Sequence, residues 1–335
     1  MPITSYRPWG LLPWVMSKCP HVEWYLLGSL STEERCLTTW HSLKSSSRLA
    51  GSYFTQVVDP PSPRYDQLRT QKLADRRSDF DSHGGLASTI HLHQLFEKTG
   101  DTIQWIEDFI AQAAPNVIVD ITSFPKRFFF PIIKKMLKND RIENLVITYT
   151  VPKAYPAEDL AENFETWRPL PLFGGKLEQP TRLVINVGYL AMGLPEELEQ
   201  AGPDRLVKLI FPFPDSPASY IRNSGFVRTI EKNLRPERVE LRRVGVNDVP
   251  DAFDHLLMWT DDGREPALMA PYGPKPISLA MCIFATLTDS AVYYTQPRTY
   301  NPNYSIGVSY REGIPETYAY CLRLAGSNYY TVPLV

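Results

Sequence analysis

The sequence predicts an α/β fold of two tandem Rossmann-like lobes, each built on a parallel, doubly wound sheet of about five strands. Three observations support this prediction. Short apolar segments alternate with helix-length amphipathic segments, turn residues separate them, and similar motifs follow corresponding strands in the two halves. Such alternation is typical of βαβ units with right-handed crossovers. The matching motifs predict that the two lobes are related by internal duplication.

The first lobe is predicted to begin with a buried strand, because residues 22–28 (VEWYLLG) are largely apolar. The helix expected at 32–43 has acidic residues in its first turn, which suit the positive end of the helix dipole. The run NVIVDIT at 116–122 is the clearest buried strand. The other elements predicted for this lobe are strands at 53–58, 88–93 and 144–150 and helices at 65–80, 101–114 and 125–137.

The second lobe is predicted to repeat the same order of elements. Its first strand is expected at 182–188 (RLVINVG) and its second at 206–213 (LVKLIFPF), both rich in β-branched or aromatic residues. The other elements predicted for this lobe are strands at 239–244, 267–271 and 291–295 and helices at 195–200, 217–234, 249–259 and 276–287.

These elements divide the chain into four parts. Residues 1–156 form the first lobe, 157–181 connect the lobes, and 182–300 form the second lobe. The remaining residues, 301–335, contain strand-like stretches and are expected to pack back on the lobes.

Composition excludes several classes of protein. The 335 residues are 43% hydrophobic and 21% charged, with a formal net charge of −2, as expected of a globular chain with substantial cores. Because the net charge is small and negative, the chain has no overall positive charge that would attract a nucleic acid, and a nucleic-acid partner is not expected. Apolar runs are too short for a membrane span and no signal peptide is recognisable, so we expect a cytoplasmic protein without a membrane partner. The four cysteines form no CxxC pair.

Three motifs recur at the ends of corresponding strands, where open α/β sheets bind their ligands. After the fourth strand of each lobe, a lysine follows a proline at a predicted helix start, where free amides and the dipole attract anions. A solvated lysine at an ordinary helix start is the alternative, and the serines after the second strands could simply cap helices. The motif residues assigned to ligand binding are Ser62, Tyr65, Ser123, Lys126, Arg127, Ser216, Tyr220, Gly273 and Lys275.

Three further residues complete the candidate ligand site. Gly28 and Gly188 each end a first strand, where the backbone could approach a ligand closely, and Asp120 ends the NVIVDIT strand. The chain contains no GxGxxG or GxxxxGK[ST] motif, so no cofactor is expected. His91 and His93 alternate on one predicted strand, but no further residue has ligand spacing, so no metal site is expected.

Catalytic patterns are sparse, and no catalytic residue is assigned. Glu33, Glu34 and Arg35 open the first helix, where a hydrolase or glycosidase could use a glutamate as nucleophile or base. Acidic residues in a first helical turn are also expected for dipole reasons alone. The sequence favours a protein that is not an enzyme, and an enzyme stays an open alternative.

Two Rossmann-like lobes with these strand-end loops resemble the CARF and SAVED families. The resemblance spans most of the chain, and its local signals are SFPK at 123–126 and GPK at 273–275. Members of these families are sensor domains that bind cyclic or linear oligonucleotide messengers in bacterial antiviral systems. The usual sensor is fused to an effector, whereas residues 301–335 leave no room for one, so the resemblance implies a separately encoded protein partner.

The function expected from these observations is binding of an anionic, nucleotide-like ligand, by a sensor or accessory subunit of a multi-protein, antiviral system. Two alternatives stay open. One is a nucleotide-processing enzyme of the hydrolase or glycosidase type, with Glu34 or Asp120 as base or nucleophile. The other is a protein–protein scaffold without a ligand, in which aromatic and proline-rich segments at 167–173 and 300–310 contact partners.

Overall fold

A computed structural model describes residues 6–19, 21–175, 182–200, 205–213 and 216–333. The chain forms two compact units. The first comprises the residues up to Asn163 together with Pro297–Tyr330, and the second comprises Phe164–Gln296 with the residues from Thr331 onward. Residues 297–300 and most of the C-terminal segment therefore belong to the first unit. Part of the predicted connection, residues 176–181, lies outside the described residues.

The N-terminal part of the chain alternates strands and helices. The strands are β1 Trp9–Leu11, β2 Trp24–Ser29, β3 Leu49–Val58, β4 His91–Gln94, β5 Asn116–Asp120, β6 Asn144–Thr150, β7 Pro152–Ala154 and β8 Ala161–Phe164. The helices are α1 Leu12–Lys18, α2 Thr38–Ser45, α3 Asp66–Ser82, α4 Thr99–Ala113 and α5 Lys126–Leu137. The predicted helix at 32–43 thus begins later than expected, because a 3₁₀ turn at Glu34–Leu37 precedes α2.

The second unit repeats the alternation. Its strands are β9 Arg168–Pro169, β10 Arg182–Asn186, β11 Leu206–Phe213, β12 Val239–Gly245, β13 Ala267–Pro271 and β14 Ala291–Tyr294. Its helices are α6 Leu194–Gln200, α7 Pro217–Glu231, α8 Val249–Trp259 and α9 Lys275–Thr288. The C-terminal segment adds β15 Pro297–Tyr300, β16 Ile306–Val308, β17 Tyr310–Arg311, β18 Ile314–Pro315, β19 Thr317–Leu324 and β20 Ser327–Asn328.

The two large sheets have the same parallel core. In the first, five parallel strands lie in the order β6-β5-β2-β3-β4, and in the second they lie in the order β14-β13-β10-β11-β12. Numbered within its lobe, each core has strand order 5-4-1-2-3. The predicted α/β class with two Rossmann-like sheets is confirmed. The internal duplication stays a prediction, which this common order supports.

Antiparallel strands extend both cores, which the sequence did not predict. In the first sheet β19 pairs with β6, and β1 and β20 both pair with β19. In the second sheet β9 pairs with β14. The added strands cover an edge strand that would otherwise expose unpaired backbone groups. The sheets are therefore mixed rather than purely parallel.

The burial of each helix follows from the distribution of apolar and charged side chains along it. α4 is amphipathic and packs Ile106, Phe109 and Ile110 into the core of the first unit. α9 is apolar on nearly every face and almost completely buried, as expected for such a helix. α3 is rich in charged residues, and it contacts the core through the buried Phe80 and the partly buried Leu73.

The sheets and helices place the carboxyl ends of the parallel strands, and thus every predicted ligand residue, at one edge of each sheet. No helix within the described residues combines the length and apolar character that crossing a membrane requires.

Candidate functional site

The ends of the first and fourth strands of the first lobe, β2 and β5, are held together by internal hydrogen bonds. The Ser123 hydroxyl donates to the Ser29 carbonyl. Asp120 is buried, and its Oδ1 accepts hydrogen bonds from the Thr122 amide, at 2.9 Å, and from the Thr122 hydroxyl. An added Cβ on Gly28 would lie 2.6 Å from the Phe54 ring, so side-chain packing accounts for this glycine.

The helix that follows β5 begins with a lysine that is almost inaccessible to solvent. Lys126, the first residue of α5, is only 8% exposed. Arg127 donates to the Glu97 carbonyl at 3.3 Å, and its guanidinium carbon lies 5.6 Å from the centre of the Phe96 ring. The Arg298 guanidinium carbon lies 5.9 Å from the same ring. The first compact unit therefore presents two arginines, Arg127 and Arg298, beside one aromatic ring, while Lys126 is buried.

The loop after the second strand of the first lobe is occupied by internal contacts. The Tyr65 hydroxyl donates to Glu162 Oε1 at 2.9 Å, and Arg64 forms an ion pair with the same carboxylate. Burial and the adjacent Glu162 carboxylate raise the pKa of Tyr65. The Ser62 carbonyl accepts the amides of Tyr65 and Asp66, and the Ser62 amide donates to Asp66 Oδ1. Ser62 and Tyr65 thus build the loop and the start of α3.

A buried ion pair lies just beyond β2. Arg35 is 1% exposed and donates from Nε and Nη2 to Glu33 Oε2, at 3.0 and 2.7 Å. It also donates to the Thr150 carbonyl at 2.6 Å and to the Ser305 hydroxyl at 3.2 Å. Burial by itself lowers the pKa of Arg35, but Glu33 and nearby tyrosines hold it well above its usual value. Glu33 thus balances a buried charge, and its neighbour Glu34 is exposed.

In the second lobe, the ends of the first and fourth strands approach so closely that only glycine fits. A Cβ on Gly188, just after β10, would lie 2.2 Å from the Tyr272 carbonyl oxygen. A Cβ on Gly273, just after β13, would lie 2.2 Å from Asn186 Oδ1 and 2.3 Å from the Val187 carbonyl oxygen. The group that approaches Gly188 in the structure is the protein's own backbone, and the predicted approach of a ligand to Gly188 stays a prediction.

Asn186 positions the start of α9. Its Nδ2 donates to the Pro274 carbonyl at 3.1 Å and to the Ser278 hydroxyl at 3.2 Å. The Ser278 amide donates to the Pro274 carbonyl at 3.0 Å. These bonds fix the backbone on both sides of Lys275, the first residue of α9, which is half-buried. Lys275 thus stands at a rigid helix start at the carboxyl edge of the sheet.

A cluster of hydroxyl groups marks the start of α7. The Ser216 hydroxyl caps this helix by accepting a hydrogen bond from the Ser219 amide at 3.2 Å. Helix capping was the alternative to ligand binding that the sequence left open for this serine. The Ser219 hydroxyl lies 3.0 Å from that of Ser216 and 2.7 Å from the hydroxyl of Tyr189. The Arg222 guanidinium carbon lies 5.2 Å from the centre of the Tyr189 ring. Tyr220, the next residue, is 42% exposed, and the centre of its ring lies 5.5 Å from that of Phe211.

The second-lobe contacts link several predicted residues into one site. Tyr189 directly follows Gly188, so the end of β10 contacts the start of α7 through Ser219 and the start of α9 through Asn186 and Tyr272. We call this group the second-lobe strand-end site; it consists of Gly188, Tyr189, Ser216, Ser219, Gly273 and Lys275. Tyr189, Ser219 and Asn186 were not predicted as site residues, although an asparagine that ends an apolar strand and a tyrosine that follows a strand-end glycine are visible in the sequence.

Together, the fold and this site define a two-lobed Rossmann-like α/β protein with a polar, glycine-dependent strand-end loop. No protein-family model matches the chain, and no curated protein matches its sequence. Among solved structures, a type III CRISPR defence DNA nuclease activated by cyclic oligoadenylate matches 81% of this chain, with a TM-score of 0.51 and 12% sequence identity. The match covers 65% of the nuclease chain, so this chain corresponds to less than two thirds of that protein.

A UDP-N-acetylglucosamine 2-epimerase is also similar at 9% identity, over 84% of this chain and 92% of that one, but its TM-score of 0.27 carries no argument. The match to the nuclease covers more of the chain than either compact unit holds. It supports the two-lobed Rossmann-like α/β fold predicted from the sequence.

Proposed function

We propose that this protein binds an anionic, nucleotide-like ligand at the second-lobe strand-end site. The observation that carries the proposal is the position of two helix starts at the carboxyl edge of the second sheet. Lys275 begins α9, and the Ser216 and Ser219 hydroxyls lie at the start of α7, where Ser219 contacts the hydroxyl of Tyr189 just after β10. Gly188 and Gly273 allow the loops that join them to pack backbone against backbone.

Electrostatics favours an anion here. α7 and α9 are 15 and 14 residues long, and both begin at the carboxyl edge of the sheet, so each directs its positive dipole end there. Lys275 adds a full charge, and Arg222 adds a second cation on α7. The hydroxyls are suited to phosphate or ribose oxygens, for which they can act as donors or acceptors.

We propose further that the ligand is a messenger nucleotide and that the protein acts as a sensor or accessory subunit of antiviral defence, with a separately encoded partner. The fold likeness to a defence nuclease activated by cyclic oligoadenylate supports this role. Of the two carboxylates considered for catalysis, Asp120 is buried and accepts hydrogen bonds from Thr122, which supports a non-catalytic role, whereas Glu34 is exposed.

Calorimetric titration tests the ligand proposal. The probes are cyclic and linear oligoadenylates, with AMP and inorganic phosphate for comparison. A charge-assisted hydrogen bond is worth roughly 1.5–3 kcal/mol, so Lys275→Ala should weaken binding by about one to two decades. The loss should shrink at high salt, because screening weakens the attraction in the wild type. Tyr189→Phe should weaken binding less, since it removes one neutral hydroxyl.

The matched control is Lys232→Ala, which removes an exposed lysine at the other end of α7. It should leave affinity unchanged. Equal affinity of wild type and Lys275→Ala would remove the proposed site, and absence of binding by every nucleotide would favour the scaffold alternative. Mass spectrometry of the ligand after incubation separates sensor from enzyme, because a nucleotide-processing enzyme would change its mass. Native mass spectrometry of the protein isolated with its genomic neighbours tests for the partner.

A further inference from the structure

Two histidines and an aspartate from α2 and α3 come together although they are distant in sequence. His41 lies on α2, and Asp79 and His83 lie at the C-terminal end of α3. His41 Nε2 is 3.7 Å from Asp79 Oδ2, and His83 Nδ1 is 3.0 Å from Asp79 Oδ1. One ligand atom from each residue lies within 4.8 Å of the others.

The spacing of these atoms suits a tetrahedral metal ion. Zinc binds imidazole nitrogen and carboxylate oxygen at about 2.0–2.2 Å, which places neighbouring tetrahedral ligand atoms about 3.4 Å apart. The distances from the two histidine nitrogens to the Asp79 carboxylate, 3.0 Å to Oδ1 and 3.7 Å to Oδ2, lie near that value. Asp79 lies in the last turn of α3 and His83 follows it by four residues at the helix C-cap, a spacing that brings the two side chains to one side of the helix end.

We propose that His41, Asp79 and His83 bind a divalent transition-metal ion, Zn²⁺ by ligand type, and that this ion ties α2 to α3. Two imidazoles and one carboxylate are three of the four ligands that zinc takes, and water or a solvent anion completes the set. The side chains of His41, Asp79 and His83 are 35%, 32% and 55% exposed, so solvent reaches the group.

Aromatic rings and one lysine surround the three proposed ligands. The His41 and His83 rings lie edge to face with centroids 4.7 Å apart, and Trp40 contacts His41 at 5.0 Å. Lys44 donates to the His83 carbonyl, and its ammonium lies 4.9 Å from the centre of the Trp40 ring. The positive charge of Lys44 repels a metal ion bound nearby, so removing this charge should strengthen metal binding.

The group is separate from the proposed nucleotide site. It belongs to the first unit. Helix α2 precedes β3 and helix α3 precedes β4, so the C-terminal ends of these helices run toward the amino-terminal ends of those strands. In the parallel sheet, these amino-terminal ends lie at the edge opposite the predicted ligand residues. Metal binding and nucleotide binding can therefore fail independently.

Tag-free protein stripped with a chelator provides the test. Titration with Zn²⁺ should show one saturable site, and Co²⁺ should give the visible absorption of a tetrahedral complex. Loss of one ligand should lower the affinity by about tenfold or more in His41→Ala, His83→Ala and Asp79→Asn. Asp79→Asn keeps the size of the side chain, so it separates loss of a ligand from loss of packing.

Two further variants sharpen the result. His255→Ala is the matched control, since His255 also faces an aspartate, Asp251, one helical turn away, at 3.7 Å; its Zn²⁺ affinity should equal that of the wild type. Lys44→Met should bind Zn²⁺ several-fold more tightly. Circular dichroism in chelator verifies that each variant folds. Absence of saturable Zn²⁺ binding, or wild-type affinity in both His41→Ala and Asp79→Asn, would overturn the proposal.

Discussion

Asp59 should make the stability of the first unit fall as the pH rises. This carboxylate follows β3, where its Oδ2 accepts the Tyr300 amide at 3.2 Å and lies 3.4 Å from Arg69 Nη2. Burial raises the pKa of Asp59 to about 6, although the Tyr300 amide and Arg69 both act to lower it. The desolvation cost of the ionised form therefore exceeds what these two partners return.

The sign and size of the effect follow from linkage. An unfolded aspartate has a pKa of about 3.9, so between about pH 4 and pH 6 the folded state holds a proton that the unfolded state has released. The stability contributed by protonated Asp59 is complete below about pH 4 and is lost as the pH rises through about 6. Two pKa units correspond to about 3 kcal/mol in total, of which about 2 kcal/mol is lost between pH 4.5 and 7.

Chemical denaturation of wild type and Asp59→Asn at pH 4.5 and 7 isolates this contribution. Asparagine stays neutral and its side-chain oxygen can still accept the Tyr300 amide. The variant should therefore gain about 2 kcal/mol relative to wild type over this pH range. Asp66→Asn is the control, because Asp66 shares Arg69 at 3.1 Å but is 48% exposed. If the pH profile of Asp59→Asn runs parallel to that of the wild type, the raised pKa is refuted.

Two further predictions concern packing and buried charge. Gly188→Ala should lower the free energy of unfolding by about 1–3 kcal/mol, because the added Cβ meets a backbone oxygen. The control Gly225→Ala, in open space on α7, should raise the free energy of unfolding by up to about 1 kcal/mol. Equal effects of the two substitutions would contradict the close approach at Gly188. Glu33→Ala should cost about 3–5 kcal/mol by leaving Arg35 buried without its carboxylate, and adding Arg35→Met should cost less than the two single changes together. Denaturant unfolding measures both, and additivity in the second cycle would count against a coupled pair.

Most of the parallel core could be predicted because its strands are strongly apolar. Strands β6, β11 and β13 and helix α8 have the predicted bounds, and most other core elements differ by a few residues. The antiparallel strand β19 was harder to place. Its sequence has a strand pattern, but its pairing with β6 depends on contacts about 170 residues apart in the chain, which local periodicity does not encode.

The site was predicted less well than the fold, for a physical reason. A motif locates a residue at a strand end but does not say which partner its side chain will find. Tyr65 pairs with Glu162 and Arg35 with Ser305, partners 97 and 270 residues distant. The group of His41, Asp79 and His83 could not be predicted for the same reason, since only the four-residue spacing of Asp79 and His83 is local in the sequence.

The two Pro-Lys motifs show how equal topology can carry unequal chemistry. Lys126 and Lys275 follow the fourth strands of lobes with the same strand order, and both begin a helix. In the first lobe Phe124 occupies the turn and is completely buried, and Lys126 is 8% exposed. In the second lobe Gly273 lets the turn pack against Asn186 and Val187, and Lys275 is half-buried. A ligand that needs an accessible lysine therefore discriminates between the lobes: Lys275→Ala should weaken binding by about one to two decades, and Lys126→Ala should instead lower stability. Affinity lost equally in both variants would show that the lobes act alike.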